Sequence, residues 1–233
     1  MSQRRSFAFI FAVLVWPAIA AGQPRTVGAA APPAPPAASS PSACRVIVAG
    51  FRGLVEDPND RHSGVVAIRK RLLSLGHPDL CARVFSPYRQ GTAIKWILSR
   101  LRSEGEEAPS PAAGEIAHGP KIILFGYSLG GWAMMAVARR LGKEHVPVEL
   151  GVEVDGMWSA SKTAPPNMRE AANFYQRKSF LMVGRNHIRA QDPELTQIVE
   201  NERLDGLGHF TIDLAPQVSD FIVAKAESFY APE

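Results

Sequence analysis

Apolar positions along this chain fall into two alternating patterns. Short, mostly apolar stretches, each followed by a glycine or a polar residue, occur at Arg45–Ala49, Cys81–Phe85, Lys121–Phe125, Val148–Val154 and Ser179–Val183. A run of this kind reads as a strand buried on both faces. Between the runs lie stretches of helical period. From Ser63 to Leu75, Val65, Val66, Ile68, Leu72, Leu73 and Leu75 share one side of a helix, and Gly76 supplies the stop. Thr92–Leu101, the alanine-rich Leu129–Leu141 closed by Gly142, and the amphipathic Ala215–Phe229 are read in the same way. Ser103–Pro120 is polar, contains glycine and proline, and reads as an exposed loop. Alternating strands and helices predict a three-layer α/β/α sandwich around a mostly parallel sheet of about five to six strands, with ligand chemistry at the carboxyl ends of the strands.

The amino-terminal end stands outside this pattern. Arg4 and Arg5 precede an apolar run, Phe7–Trp16, which gives way to Ala18-Ile19-Ala20. Basic start, short apolar stretch and small-residue site make residues 1–20 a signal peptide, and the run is well short of the roughly 20 residues that span a bilayer. Residues 21–43 are mostly Pro, Ala, Ser and Gly, a composition that buries too little apolar surface to fold, and read as a tether to a single domain at 44–233. Without residues 1–20 the chain carries 24 Lys and Arg against 22 Asp and Glu. With that near balance, and no dense basic run interleaved with aromatics, nucleic acid is not expected as a partner. Arg69-Lys70-Arg71 reads as a solvated helix face. The expectation is a secreted or periplasmic protein with no permanent membrane anchor after signal cleavage; its oligomeric state is open.

The two cysteines, Cys44 and Cys81, each stand at the beginning of a predicted strand. If those strands are parallel neighbours, the two residues share one edge of the sheet, and in an oxidising compartment a disulfide is expected.

Candidate chemistry centres on Gly126-Tyr127-Ser128-Leu129-Gly130-Gly131, a G-x-S-x-G match between a predicted strand and a predicted helix. A tight strand-to-helix turn needs small residues on both sides of the serine, and Gly126 and Gly130 provide them. The turn lifts the hydroxyl above the sheet, and the following helix points its positive end toward developing negative charge. On this motif, the strand order, and an acid and a histidine downstream, the region Arg45–Glu233 resembles the α/β-hydrolase superfamily, in particular its small lidless esterases, lipases and cutinase-like enzymes. The resemblance implies a chain order of serine, acid, histidine.

A serine hydroxyl needs a base within hydrogen-bond reach. Of the six histidines, His77, His118 and His145 precede strands and fall at the amino edge of the sheet, while His62 is on the right edge but before the serine. His209, in Gly206-Leu207-Gly208-His209-Phe210 ahead of the final helix, is where the resemblance places the base; His187 is the reserve candidate. For the carboxylate that orients the base, Asp155 at the end of the fourth strand comes first, with Asp192, after the next strand, and Asp205 as alternatives. Glu153 is expected to face away from Asp155, on the argument that strand residues alternate sides. Leu129, the residue after the serine, supplies one amide of an oxyanion hole. The resemblance assigns the second to Phe51 in Gly50-Phe51-Arg52-Gly53, with Arg52 the near alternative, although the HGGG form of that loop is missing.

These residues together imply a serine hydrolase that cleaves carboxylic ester, thioester or lipid acyl bonds through an acyl-enzyme. A serine-dependent acyltransferase and a non-catalytic ligand-binding protein on the same fold remain open alternatives. No metal, flavin or nucleotide motif is present, and Gly50-Phe51-Arg52-Gly53 does not meet the G-x-G-x-x-G dinucleotide pattern, so no cofactor is expected. Met157, Trp158, Pro165, Pro166, Phe174 and Tyr175 in the segment Gly156–Gln176 are read either as one wall of an acyl pocket or as an ordinary surface connection.

Overall fold

A computed structural model of the chain describes residues 43–54, 62–101, 119–157, 162–178 and 187–231. The segments read as a signal peptide and, but for its last residue, as a tether, most of the Ser103–Pro120 loop, Trp158 and the predicted strand at 179–183 lie outside the described residues.

The elements in chain order are β1 (Val46–Phe51), α1 (Gly64–Leu73), β2 (Leu80–Phe85), α2 (Gln90–Leu101), β3 (Lys121–Tyr127), α3 (Leu129–Lys143), β4 (Val148–Val154), β5 (Thr163–Ala164), β6 (Met168–Tyr175), β7 (Arg189–Ala190), β8 (Gln197–Arg203), a short 3-10 turn at Ile212–Leu214, and α4 (Pro216–Ser228). Six strands form one sheet in the order β2-β1-β3-β4-β6-β8, parallel throughout. β5 and β7 pair separately as a two-residue parallel ribbon.

The predicted three layers are present, and β1 shows why its sequence is apolar throughout. Val46 and Val48 face a core shared with Val65, Ile68 and Leu72 of α1 and Val218 and Ile222 of α4. Ile47, Ala49 and Phe51 face a second core with Ala93 and Ile97 of α2 and Ala133, Met134 and Val137 of α3. Alternate residues thus meet different helix layers, and neither face can be polar. Among the described residues no helix is long and apolar enough to cross a membrane.

Two strands depart from the sequence expectation. The segment Gly156–Gln176 holds a central strand, β6, rather than only a connection or pocket wall. Phe174 is a core residue packed edge-on against Phe221 at 5.5 Å, and Tyr175 is buried beside it. Arg169, Glu170 and Asn173 interrupt the apolar run and hid the strand from a periodicity reading; Asn173 is fully buried and donates to Asn201 Oδ1 at 3.3 Å, which offsets the cost of placing an amide there. β8 was hidden for another reason. It is an edge strand whose residues Gln197, Glu200, Glu202 and Arg203 remain partly in water.

The start of the sheet is stapled as the strand positions predicted. β1 and β2 are parallel neighbours with Ile47 opposite Cys81, and Cys44 and Cys81 form a disulfide with Cα atoms 5.8 Å apart. The bridge spans a sequence separation of 37 residues. Replacing both cysteines with serine is expected to lower unfolding free energy by about 2–4 kcal/mol, chiefly through the unfolded chain. Denaturant titration of the variant beside the parent checks this; coincident curves would remove the staple from the account.

Candidate active site

The strand order reverses direction at β1. The chain steps outward to β2, returns to β3 on the other side of β1, and continues away through β4, β6 and β8. Such a reversal opens a crevice at the carboxyl ends of the two central strands. Phe51 closes β1 on one side of it, and Ser128 follows β3 on the other.

The turn at Ser128 is sharp and strained. Ser128 adopts φ 55°, ψ −120°, and its amide donates to Val154 O at 2.9 Å, which ties the turn to the neighbouring strand. A residue with a side chain persists at such angles only where its surroundings over-determine them. Here the flanking glycines allow close packing. A Cβ at Gly126 would overlap the Gly130 carbonyl, and one at Gly130 would overlap the Phe51 carbonyl and lie 2.6 Å from the Arg52 oxygen. The end of β1 is therefore pressed against the first turn of α3. Gly130→Ala is expected to destabilise the fold by about 1–3 kcal/mol, since the obstructing atoms are backbone and cannot rotate away. A thermal melt at or above the parent's would contradict the packing described.

Ser128, His209 and Asp155 are 3%, 2% and 0% exposed, so a hydrogen bond among them meets little competition from water. Ser128 Oγ lies 3.0 Å from His209 Nε2, and His209 Nδ1 lies 2.7 Å from Asp155 Oδ2. An ionised carboxylate only accepts, so Nδ1 carries the proton and Nε2 is left as the acceptor for the serine hydroxyl. Asp155 amide donates to Phe174 O at 2.8 Å, and the residue turns out of β4 at φ 46°. His209 is held from two sides. Tyr127 donates its hydroxyl to His209 O at 2.6 Å, with the two rings 5.2 Å apart, and within the 3-10 turn that follows, the chain is anchored where Asp213 Oδ2 accepts the Gly64 amide at 2.7 Å.

The other sequence candidates are elsewhere. Asp192 accepts the Glu194 amide at 3.0 Å in the turn before β8. Asp205 is exposed and paired with Arg203 at 2.8 Å. His187 is exposed, with its ring 5.7 Å from that of Tyr175; His62 and His145 are exposed, and His77 stacks on Tyr230 at 3.7 Å. His118 lies outside the described residues.

Glu153 does reach different partners from Asp155, but strand alternation is not the cause. Residues two apart share a face in a regular strand, so alternation alone would place the two carboxylates together. They part because Asp155 has left the strand at positive φ. Glu153 instead forms a buried ion pair with Lys162 at 2.8 Å, on the side where Gly131 of α3 packs against it.

Leu129 opens α3, where amides have no partner within the helix. The Arg52 amide donates to Phe85 O at 3.1 Å, and Phe51 is the last residue of β1, in register with Phe85 of β2 and Gly126 of β3. Gln176, which sequence reading did not single out, is fully buried and donates from Nε2 to Asp155 Oδ2 at 2.9 Å. Among the described residues no cluster of His, Cys, Asp and Glu is arranged to hold a metal ion.

No protein-family model matches the chain, and no curated protein does. Solved structures similar to it include a thioesterase, RedJ, from the prodiginine biosynthetic pathway in Streptomyces coelicolor, at 11% identity and TM-score 0.46 over 84% of this chain and 96% of that one. Mouse alpha/beta hydrolase domain-containing protein 10 is similar at 14% identity and TM-score 0.44, over 79% and 89% of the two chains. Est1E from Butyrivibrio proteoclasticus is similar at 10% identity and TM-score 0.42, over 82% and 90%. The fold assignment rests on the chain's own topology. With a six-stranded parallel sheet in the order β2-β1-β3-β4-β6-β8, a glycine-flanked serine turn after β3, and Ser128, Asp155 and His209 following one another to the same sheet edge, the chain has the α/β-hydrolase fold.

Proposed function

We propose that this chain is a serine hydrolase that cleaves carboxylic esters or thioesters of apolar acyl groups by way of an acyl-enzyme. What carries the reading is the buried line of contacts from Ser128 Oγ to His209 Nε2 at 3.0 Å and from His209 Nδ1 to Asp155 Oδ2 at 2.7 Å. A binding protein needs none of these contacts, nor a serine held at positive φ.

In this proposal Ser128 Oγ attacks the acyl carbonyl carbon as its proton passes to His209 Nε2. The electron pair of the carbonyl moves onto oxygen, which receives one hydrogen bond from the Leu129 amide and a second from the end of β1. Collapse expels the alcohol or thiol, which leaves with the proton from Nε2. Water then repeats the sequence on the acyl-enzyme and frees the acid and the serine. Asp155 keeps the proton on Nδ1 in the ground state and stabilises the imidazolium when it forms.

An apolar acyl group is favoured by the rim of the crevice. Leu54 after β1, Tyr88 after β2 and Phe210 beside His209 are exposed to 57%, 67% and 68%, and all three belong to the carboxyl edge of the sheet. Export follows from the amino-terminal signal pattern and is supported by the Cys44–Cys81 bridge, since such bridges persist in oxidising compartments. A series of p-nitrophenyl esters of increasing acyl length, assayed beside a Ser128→Ala control, tests the proposal. Turnover that depends on Ser128 and rises with acyl length is the expected result; equal rates in the two proteins would overturn it.

A further inference from the structure

Asp155 Oδ2 receives two N–H groups, one from the histidine and one from Gln176 Nε2 at 2.9 Å. Gln176 immediately follows β6, so it stands at the end of the strand next to the one that carries the acid. It is fully buried. The orientation of its amide is fixed by a second contact: its Oε1 accepts the Lys178 backbone N–H at 2.6 Å, and a backbone N–H can only donate. The NH2 end is thereby committed to Asp155.

This arrangement has a physical purpose. Asp155 sits beyond the end of its strand, in a left-handed turn, where the sheet ladder no longer determines where its carboxylate points. A single hydrogen bond sets one distance at Oδ2, and each further donor narrows the directions open to it. A second donor, itself anchored to the backbone of the next strand's end, fixes Oδ2 in place and is compatible only with an acceptor there.

We infer that Gln176 is a positioning residue for the reaction, acting on Ser128 only through Asp155 and His209 by holding the carboxylate oxygen that the histidine needs. The inference rests on the serine-hydrolase reading. It deepens that reading by adding a fourth member whose effect must vanish when the acid is absent.

A double-mutant cycle tests it, with the rate of Ser128 labelling by a fluorophosphonate and ester kcat as readouts. Gln176→Leu in the parent is expected to lower both by about tenfold to a hundredfold, with KM little changed. In an Asp155→Ala background, the same substitution is expected to change the labelling rate by no more than about twofold. Equal losses in both backgrounds, or no loss in the parent, would overturn the inference, because a space-filling role does not depend on the carboxylate. Should Gln176→Leu fail to unfold cooperatively, Gln176→Glu decides the matter. That side chain is the same size, donates to Asp155 only while protonated, and confronts it with a like charge once ionised. Its activity relative to the parent is expected to fall as pH rises, and a ratio independent of pH would overturn the inference. A parent without Ser128-dependent turnover would overturn the hydrolase reading itself, and this inference with it, before any variant at position 176 is made.

Discussion

Ser128→Ala is expected to lower kcat by about 10⁴–10⁶-fold while leaving the protein folded. In the proposed mechanism the substitution removes the atom that bonds to the acyl group, so no reaction through an acyl-enzyme survives. What remains is the contribution of bound substrate and oriented amides to direct attack by water. The fold should be tolerant, because the loss is one hydroxyl hydrogen bond to His209 Nε2 and a small methyl fits the space. His209→Ala should cost a similar factor, since a serine without its base is not a nucleophile at neutral pH. The double variant should be little worse than either single one, because each alone already disables the same step. Multiplying losses would mean that the two side chains act separately, which a 3.0 Å contact between buried groups does not allow.

The second large effect is at Asp155. Asp155→Asn is expected to reduce kcat by about 10⁴-fold with the melting temperature little changed. An amide is nearly the same shape as the carboxylate and can still occupy the buried site. It brings no negative charge to stabilise the imidazolium, and its NH2 end presents a donor where His209 Nδ1 is also a donor. Pre-steady-state kinetics with an activated ester checks this: acylation and deacylation should both slow, because in the proposed mechanism His209 shuttles a proton in each. An unchanged rate would mean that another carboxylate orients the histidine. Asp192 and Asp205 are poorly placed for that, the first being tied into a turn and the second exposed and paired with Arg203.

The sequence made these residues legible to different degrees, and the differences are physical. Ser128 was readable because a strained turn demands small neighbours, and steric need leaves a local signature in Gly126 and Gly130. β1 and β3 were readable because both faces are buried, which forces an almost unbroken apolar run. The reading of Asp155 and His209 drew on strand edges, chain order and the family resemblance together, and it left Asp192, Asp205 and His187 as alternatives. β6 was not readable. Its burial is compatible with Asn173 only because Asn201 on the neighbouring strand satisfies that amide, and such a pairing between residues distant in sequence has no local pattern. Gln176 was hidden by the same circumstance: once β6 is overlooked, nothing marks the residue at its end as neighbouring the acid of β4. The separation of Glu153 from Asp155 likewise depends on one backbone angle, φ 46° at Asp155, which no periodicity rule anticipates.

The central claim is that Ser128 is a nucleophile activated by His209. Intact-mass and peptide mapping of the protein after exposure to a fluorophosphonate tests it most directly, because the reagent modifies serines that are activated and leaves ordinary hydroxyls unmodified. A single adduct on Ser128, absent from Ser128→Ala and slowed in His209→Ala, is the predicted result. An unmodified parent, or an adduct that persists on another residue when Ser128 is replaced, would contradict the claim.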